Sequence, residues 1–328
     1  MYETFLYALR AVLPILLMIA VGFFVRRVGP WDGSFYKSLN KLGFHVFMPL
    51  NLFCNIYEIE SLAEVNWPLV LVVLSGIVLC LLLGILVARF LPPNQRGVLV
   101  QATFRSNQAI LGLPVAQALG GASAMAFASV VSGLTVPFFN VLAVLVLVFY
   151  SGNREKKPSV GSMVKKILTN PLIIGSAIGI LVVALRQFGL VPAWLLRDQM
   201  PSVYKVAKDL AKMASPIMLF VLGASLDFKA TGKLLPQITL GAVMRLVVSP
   251  VLIIGLCLLL RKPLGVTAVE MPSLVAVFAS PVAVSSAVMV QEIGGDDQLA
   301  SQLVVWTSAV SMATIFAIVF ALRTIGAL

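Results

Sequence analysis

Charged side chains are scarce in this sequence. Only 11% of its 328 residues are charged, whereas 60% are hydrophobic. Soluble domains carry about 25% charged and 45–50% apolar residues. A soluble fold of this length would therefore lack the polar side chains that its surface needs. The composition excludes an ordinary soluble protein and predicts an all-α integral membrane protein.

Residues that build metal, redox and catalytic sites are equally few. Cys54, Cys80 and Cys257 lie in apolar runs without CxxC spacing, and His45 is the only histidine. This argues against a zinc site or a disulfide framework. The sequence has no GxxxxGK[ST] phosphate-binding loop and no nucleophile–base pair. We therefore expect neither an enzyme nor a cofactor or bound metal, with H⁺ or Na⁺ as the candidate coupling ion.

Long apolar stretches fill most of the chain. About 20 mostly apolar helical residues cross the hydrocarbon core of a bilayer, which is roughly 30 Å thick. The sequence offers ten such segments, named TM1 to TM10 here. They are centred on residues 11–25, 42–57, 65–88, 97–119, 122–150, 167–185, 213–226, 234–260, 271–291 and 298–322.

The basic residues lie between these apolar runs. The net charge of +11 does not form one basic face, so no nucleic-acid partner is expected. Lysine and arginine mark cytoplasmic loops, and they occur in the first, third and fifth loops, for example Arg26, Arg89 and Lys156. The second loop carries acidic residues such as Glu58. This pattern predicts a multi-pass protein of the plasma membrane, bacterial inner membrane, with both termini outside.

A polar linker at residues 153–166 divides the chain into 1–152 and 167–328, each with five predicted helices. The two halves share short patterns in the same order. Three pairs of segments correspond: 14–22 with 171–179, 49–53 with 216–220, and 117–121 with 291–295. Because five is odd, the second half enters the membrane from the opposite side. We therefore predict an inverted repeat, as in many secondary transporters.

The repeat places two helix breaks near the midplane. Superposing the Gly-Gly pairs that end the third pair of segments aligns Asn107 of TM4 with Pro281 of TM9. Ser280–Pro281 has the residues of a helix start, since serine caps free amides and proline has no N–H. We predict that TM9 restarts there and that Ser106–Asn107 cap the restart of TM4. The LGLP sequence at residues 111–114 is then a kink or a close-packing point.

Two helix N-termini that meet at the protein centre form an anion site, because they present free amides and partial positive charge. Arg105 adds a full positive charge beside one of them. Structural roles remain open as alternatives. Prolines kink membrane helices, and serines bond back to the preceding turn or join helices. Arg105 itself fits the cytoplasmic end of TM4 as well.

Other polar residues allow both a functional and a structural interpretation. Arg245 interrupts TM8, where an ionisable group is a candidate for function, but it also fits pairing with a loop carboxylate or snorkelling. Asn51 and Asn55 lie one turn apart on TM2 and either face a cavity or join helices. His45 is either a titrating group or a structural residue, and Glu292 either a proton carrier or an interfacial acid.

These residues resemble the auxin efflux carrier family, which includes bacterial malate and malonate permeases and the plant PIN carriers. SNQAILGLP at residues 106–114 is similar to the family's N-x-x-x-x-G-x-P pattern, and SPVAVSSAV at residues 280–288 adds to the likeness. The resemblance implies two inverted five-helix repeats in which broken TM4 and TM9 cross. It also implies a scaffold of helices 1, 2, 6 and 7, often dimeric, and an elevator-like transport unit of helices 3–5 and 8–10.

The resemblance further implies that Asn107 and the backbone of Val282–Ala283 hold a substrate carboxylate. Ser106 stands where the plant carriers have proline, and their second TM9 proline is absent here, so a small polar carboxylate fits better than auxin. The candidate substrate-binding residues are Arg105, Ser106, Asn107, Gln108, Ser280, Pro281, Val282, Ala283, Ser285 and Ser286. Weaker candidates are Asn51, Asn55, Arg245 and Gln291.

The sequence as a whole predicts a secondary active transporter of a small organic anion that works by alternating access. Its expected partners are the anion, the lipid bilayer and a second copy of the chain. One alternative is a sodium- or proton-coupled carrier of the bile acid symporter or antiporter fold, with a cation as main substrate. The other alternative is a membrane receptor that does not transport. The longest linker in this sequence has about fourteen residues, which leaves little room for the soluble domain that such a receptor would need.

Overall fold

The computed structural model describes residues 2–59, 67–151, 161, 164–165, 168–192, 195–266 and 270–328. In these ranges the backbone is almost entirely helical, and its extended contact is one isolated antiparallel bridge. The predicted linker at residues 153–166 lies outside the described residues except for 161, 164 and 165. The start of predicted TM3, residues 65–66, also lies outside them.

The described helices overlap each of the predicted segments, although several bounds differ. In chain order they are α1 (Tyr2–Val28), α2 (Gly33–Leu42), α3 (Met48–Tyr57), α4 (Trp67–Ala88), α5 (Pro93–Phe104), α6 (Leu113–Ser151), α7 (Pro171–Gln187), α8 (Pro201–Ser225), α9 (Phe228–Val243), α10 (Ser249–Leu259), α11 (Arg261–Leu264), α12 (Glu270–Phe278), α13 (Val284–Ile293) and α14 (Asp297–Thr324). The predicted TM2, TM4, TM8 and TM9 are each built from two or more of these pieces.

Several helices have the dimensions and surfaces of membrane spans. Four described segments are long and apolar enough to cross a bilayer: Trp67–Ala88, Phe127–Tyr150, Thr231–Leu259 and Asp297–Thr324. Leu71 and Leu82 of α4 and Val251 and Leu259 of α10 are more than half exposed. An apolar surface of this kind is a liability in water but matches lipid chains. The protein is a multi-pass membrane protein.

Three spans contain a wider, π-helical turn. In each, an amide bonds to a carbonyl five residues earlier: Met48 to Gly43, Leu113 to Gln108 and Ser249 to Met244. The next residue is a proline in all three places. Proline has no N–H, and its ring crowds the turn that precedes it. The helix therefore widens in the turn just before each proline. The turns are Gly43–Phe47, Gln108–Gly112 and Met244–Val248.

The two Gly-Gly pairs are chain turns, as the sequence predicts. Gly121 has φ 71° and ψ −161°, which interrupts α6 between residues 120 and 122. Gly294 and Gly295 have φ values of 122° and 131° directly after α13. Glycine adopts these conformations without the steric cost that a Cβ imposes. Residues 113–120 therefore end predicted TM4, and residues 122–151 form TM5.

Helices α1 and α8 pack unusually closely through a reciprocal pair of glycines. A Cβ on Gly22 would lie 2.0 Å from the Phe220 carbonyl oxygen, and one on Gly223 would lie 1.9 Å from the Ile19 carbonyl oxygen. Small residues allow such close backbone approach between membrane helices. The two helices are therefore held together by backbone contact, which larger side chains would prevent.

We expect Gly223→Ala to lower the melting temperature of the purified protein by several degrees. The methyl group forces α1 and α8 apart, and overpacking of this kind costs about 1–3 kcal/mol. Gly255→Ala on α10 is the matched control, since a Cβ there meets no atom within 4 Å and alanine favours the helix. Equal melting temperatures for the two variants would contradict the close-packing interpretation.

Candidate functional site

Two interrupted helices contact each other at their breaks, residues 105–107 and 279–283, and this contact is called the crossing here. α5 ends at Phe104 and α12 ends at Phe278. Between the helix pieces, the Asn107 N–H donates to the Pro281 carbonyl at 2.8 Å, and the Ala283 N–H donates to the Arg105 carbonyl at 3.3 Å. These bonds frame an antiparallel bridge between Ser106 and Val282. The predicted breaks are confirmed, and the two breaks contact each other directly.

The predicted helix start at Ser280–Pro281 is wrong. The Ser280 hydroxyl donates to the Ala276 carbonyl, so the serine closes the first half of the broken helix instead of capping the second. Pro281 ends α12 because it has no N–H for the helix. The second half begins only at Val284, with Ala283 at the cap position and no side-chain cap.

The other break also differs in detail from the prediction. Asn107 is the cap residue of the Gln108–Gly112 turn, but its side chain makes no capping bond. The Ser106 Oγ and the Asn107 Nδ2 are buried without a hydrogen-bond partner. The bridge pairs Ser106 with Val282, and the adjacent Asn107 N–H donates to the Pro281 carbonyl, so the two residues that the sequence alignment matched contact each other. Both helix restarts thus leave their amides free of side-chain caps.

A cavity of about 90 Å³ lies against the crossing. A buried water needs roughly 10–15 Å³ by this kind of measure, so the space suits several waters or one small molecule. Its walls come from α3, α6, α8, the crossing and the start of α13. The lining residues are Met48, Asn51, Leu52, Arg105, Ser106, Asn107, Val136, Phe139, Asn140, Ala214, Ser215, Met218, Ala283, Val284 and Ser285.

Arg105 brings a full charge to this cavity. Its side chain is 3% exposed, and its Nη2 donates to the Asn140 Oδ1 at 2.6 Å, while its Nη1 contacts the Met289 sulfur. Among the described residues, no carboxylate oxygen lies within 4 Å of its nitrogens. A buried charge without a counter-ion is costly. The cavity therefore carries the positive charge of Arg105, which no carboxylate of the described residues pairs with.

Hydrogen-bond donors without partners also occur among the residues that line the cavity. The Asn107 and Asn140 Nδ2 groups are buried without partners. The Val284 and Ser285 amides at the start of α13 have no carbonyl one turn earlier in their helix, whereas the Ser286 N–H donates to the Ala283 carbonyl at 2.9 Å. Such amides carry partial positive charge at a helix N-terminus. The arrangement can bind an anion by one full charge and several N–H donors.

Several predicted ligands lie behind the cavity wall. Gln108 is fully buried and its Nε2 donates to the Thr135 Oγ1 at 2.7 Å. The Val282 N–H donates to the Thr307 Oγ1 at 3.1 Å, and the Ser286 carbonyl accepts from the Gln101 Nε2 at 3.2 Å. These hydrogen bonds join the crossing and the residues that follow it to α6, α14 and α5 through Thr135, Thr307 and Gln101. The predicted residues outside the lining are Gln108, Ser280, Pro281, Val282, Ser286, Asn55, Arg245 and Gln291.

The two asparagines of α3 play different roles. Asn51 lines the cavity, and its Nδ2 donates to the Ala211 carbonyl of α8 at 3.2 Å. Asn55 is exposed, and its Nδ2 donates to the Asn51 Oδ1 at 3.1 Å. Asn51 therefore joins α3 to α8 and forms part of the wall, and Asn55 orients it from outside.

His45 and Glu292 lie away from the cavity. The exposed His45 has its Nδ1 2.9 Å from the Lys41 carbonyl oxygen, one turn earlier. The Glu292 Oε1 accepts from the Asn40 Nδ2 at 3.0 Å, which links α13 to α2. These positions fit a structural role for His45 and an acid outside the cavity for Glu292, which are two of the interpretations that the sequence left open.

Asn140 is one of the lining residues that sequence reasoning missed. It lies in the middle of the apolar segment Phe127–Tyr150, and its carboxamide is the polar partner of Arg105. Polar groups inside a membrane span are candidates for function, so the residue carried a usable signal. Its spacing from Arg105 gave no indication that the two side chains meet.

Arg245 lies outside the cavity lining, on the Met244–Val248 turn between α9 and α10. It is completely buried and donates to backbone carbonyls of both broken helices, including Phe278 at 2.9 Å and Phe104 at 3.3 Å. Snorkelling and pairing with a loop carboxylate are therefore wrong for this residue in the described part of the chain. Its guanidinium belongs to the crossing itself.

Interrupted membrane helices whose breaks meet beside a partly polar cavity are typical of helical membrane transporters. The chain belongs to the membrane transport protein family, the auxin efflux carrier family, whose model matches residues 7–319. It is similar to the uncharacterized transporter MJ1031 of Methanocaldococcus jannaschii, with 26% identity over 249 residues, 73% of this chain and 75% of that protein. The family resemblance read from the sequence is confirmed.

Proposed function

We propose that the protein is a secondary carrier of a small organic anion, whose carboxylate pairs with Arg105 in the cavity. The observation that carries this proposal is the buried Arg105 guanidinium without a carboxylate partner among the described residues. Removing one partner of a buried ion pair costs about 3–5 kcal/mol. A bound carboxylate recovers energy of this order, which favours an anion over a cation.

The rest of the cavity fits a small, partly polar molecule. The amides of Asn107 and Asn140 supply donors beside Arg105, and Ser285 lies at the start of α13. Met218 and Phe139 supply an apolar wall. The volume of about 90 Å³ suits a short-chain carboxylate and is well below the roughly 300–1,000 Å³ of sites for drug-sized ligands.

The cavity position supports alternating access by an elevator-like motion. One wall comes from α3 and α8, through Asn51 and Ser215, and the other from the crossing, α6 and α13. The first pair belongs to the proposed scaffold of TM1, TM2, TM6 and TM7, and the second group to the proposed transport unit. A site at the boundary between two bodies becomes open to either side when one body moves against the other.

The packing within the proposed scaffold supports the inverted repeat. Gly22 of α1 packs against the Phe220 carbonyl of α8, and Gly179 of α7 packs near the Phe53 carbonyl of α3. Gly22 and Gly179 occupy matching positions in the two halves of the sequence, as do Phe53 and Phe220. The proposal includes plasma-membrane insertion with both termini outside and a homodimer formed through the scaffold.

Reconstitution into liposomes tests the transport function. The purified protein is expected to take up labelled small carboxylates such as malate, malonate or lactate, and a H⁺ or Na⁺ gradient reveals any coupling. Protein-free liposomes and liposomes with heat-denatured protein are the controls. Cation flux that does not depend on any anion would refute the anion proposal in favour of the cation carrier.

Asn140→Asp is expected to raise the KM for anion uptake roughly tenfold. The substitution keeps the size of the side chain and places a carboxylate against Arg105, so a fixed negative charge competes with the substrate for the guanidinium. A tenfold change in KM corresponds to about 1.4 kcal/mol. This is less than the attraction expected between the Arg105 guanidinium and a carboxylate in contact with it.

Asn140→Ala is the matched control for this prediction, because it removes the carboxamide without adding a charge. A smaller change in KM is expected for alanine than for aspartate. If Asn140→Asp takes up anions as well as the wild type does, Arg105 is not the group that binds the substrate carboxylate.

A further inference from the structure

We infer that Arg245 is a positioning residue, which holds the two broken helices in register so that their restarts form the anion site. The positioning role goes beyond the proposed function. The transport assay that tests it rests on the proposed anion transport. The guanidinium does not reach the cavity; it acts on the substrate through the backbone of the crossing.

The contacts of Arg245 lie on both broken helices. Its Nε donates to the Ser280 carbonyl at 2.9 Å and its Nη2 to the Phe278 carbonyl at 2.9 Å. Its Nη1 lies 3.3 Å from the Phe104 carbonyl oxygen and 3.4 Å from that of Thr103. One planar side chain therefore joins the end of α12 to the end of α5.

These carbonyls are the groups that a helix end leaves without partners. The last turn of every helix has C=O groups that no later amide can reach, and they carry partial negative charge. In a membrane interior each such group needs a partner within the protein. Arginine has five N–H donors in a fixed planar fork, so it can serve two helix ends at once.

A second residue of the same segment supports the same contact. The Ser249 Oγ, directly after the Met244–Val248 turn, donates to the Thr103 carbonyl at 2.6 Å. Arg245 has no carboxylate oxygen within 4 Å among the described residues. Its positive charge is therefore set against the negative ends of two helices instead of an acidic side chain.

The crossing is thus polarised by two arginines in different roles. The two helix ends that carry negative partial charge meet at Arg245, and the restarts, which carry positive partial charge, border the cavity with Arg105. Losing Arg245 lets the two breaks move relative to each other. The anion donors then lose their common geometry, although none of them has been removed.

The transport test compares Arg245→Gln, Arg245→Lys and Ser249→Ala with the wild type. We expect KM to rise roughly tenfold in Arg245→Gln, less in Arg245→Lys and about twofold in Ser249→Ala. The order in which competing carboxylates inhibit uptake should stay the same, because no ligand group changes. A changed order in a variant that still transports would overturn the inference and make Arg245 a direct ligand.

A disulfide across the crossing gives an independent test. Ser106 and Val282 form the pair flanked by the two backbone bonds, and in an antiparallel ladder such a pair has Cα atoms about 4.5 Å apart. That separation permits a disulfide. The test protein carries Ser106→Cys and Val282→Cys with Cys54, Cys80 and Cys257 replaced by alanine.

In this background we expect oxidation to restore a large part of the affinity that Arg245→Gln removes, because the disulfide takes over the fixing of the two breaks. Uptake by the same preparation after reduction is the control, and the melting temperature in both states monitors folding. If the oxidised protein forms the disulfide and KM does not fall relative to the reduced protein, the positioning role is wrong. Failure of the wild type to take up any anion would instead contradict the proposed function.

Discussion

Arg105→Gln is expected to lower kcat/KM for anion uptake by about 100- to 4,000-fold. In the wild type the bound carboxylate is the proposed counter-ion of Arg105, a residue that is 3% exposed. Removing one partner of a buried pair costs about 3–5 kcal/mol, and each 1.4 kcal/mol is a factor of ten. Glutamine keeps a donor for Asn140 but supplies no charge. Uptake of labelled carboxylate into liposomes measures the loss.

Two further variants make this result specific. Arg96 lies on α5, the helix that ends just before Arg105, and its Nε donates to the Leu91 carbonyl at 2.9 Å. Arg96→Gln therefore removes a charge from α5 away from the cavity. We expect it to transport nearly as well as the wild type. Arg105→Lys keeps the charge but loses the planar fork and should fall in between. Unchanged uptake by Arg105→Gln would mean that the substrate binds elsewhere.

The main architecture could be read from the sequence because membrane helices have strong, local signals. Apolar runs gave the spans, and Gly121 and Gly294 gave the turns that close the two broken helices, since few other residues adopt their backbone angles. The break near Pro281 could also be predicted, because a proline inside a helix removes a bond of the helix ladder. These inferences depend on neighbours in the chain and need no knowledge of tertiary contacts.

The details of the site could not be predicted because they depend on contacts between distant segments. Ser280 has the residue type of a helix cap, but its hydroxyl bonds to Ala276 of the preceding turn, an alternative that serine always offers. Asn140 reaches Arg105 across 35 positions of sequence. For Arg245, the sequence indicated an intramembrane charge, but only the fold shows that helix ends are its partners.

The N-terminus of α13 is proposed to bind the anion together with Arg105. Val284 is the first residue of α13 and lines the cavity, so its amide is one of the donors proposed to face the anion. Proline fits the first position of a helix, where an amide has no intrahelical partner. The preceding Ala283 has φ −63° and ψ 134°, the extended conformation that a residue before proline prefers.

Val284→Pro is therefore expected to keep the helix and remove one N–H from the site. A hydrogen bond to a charged group contributes about 1.5–3 kcal/mol, which predicts a rise in KM of roughly 10- to 100-fold for every transported carboxylate. Val284→Ala keeps the amide, shortens the side chain and should leave KM near the wild-type value. Both proteins should melt close to the wild-type temperature, so the comparison isolates the amide. If the proline variant binds and transports anions with unchanged KM, this helix start is not a ligand, and Arg105 with the two asparagines must account for recognition of the anion.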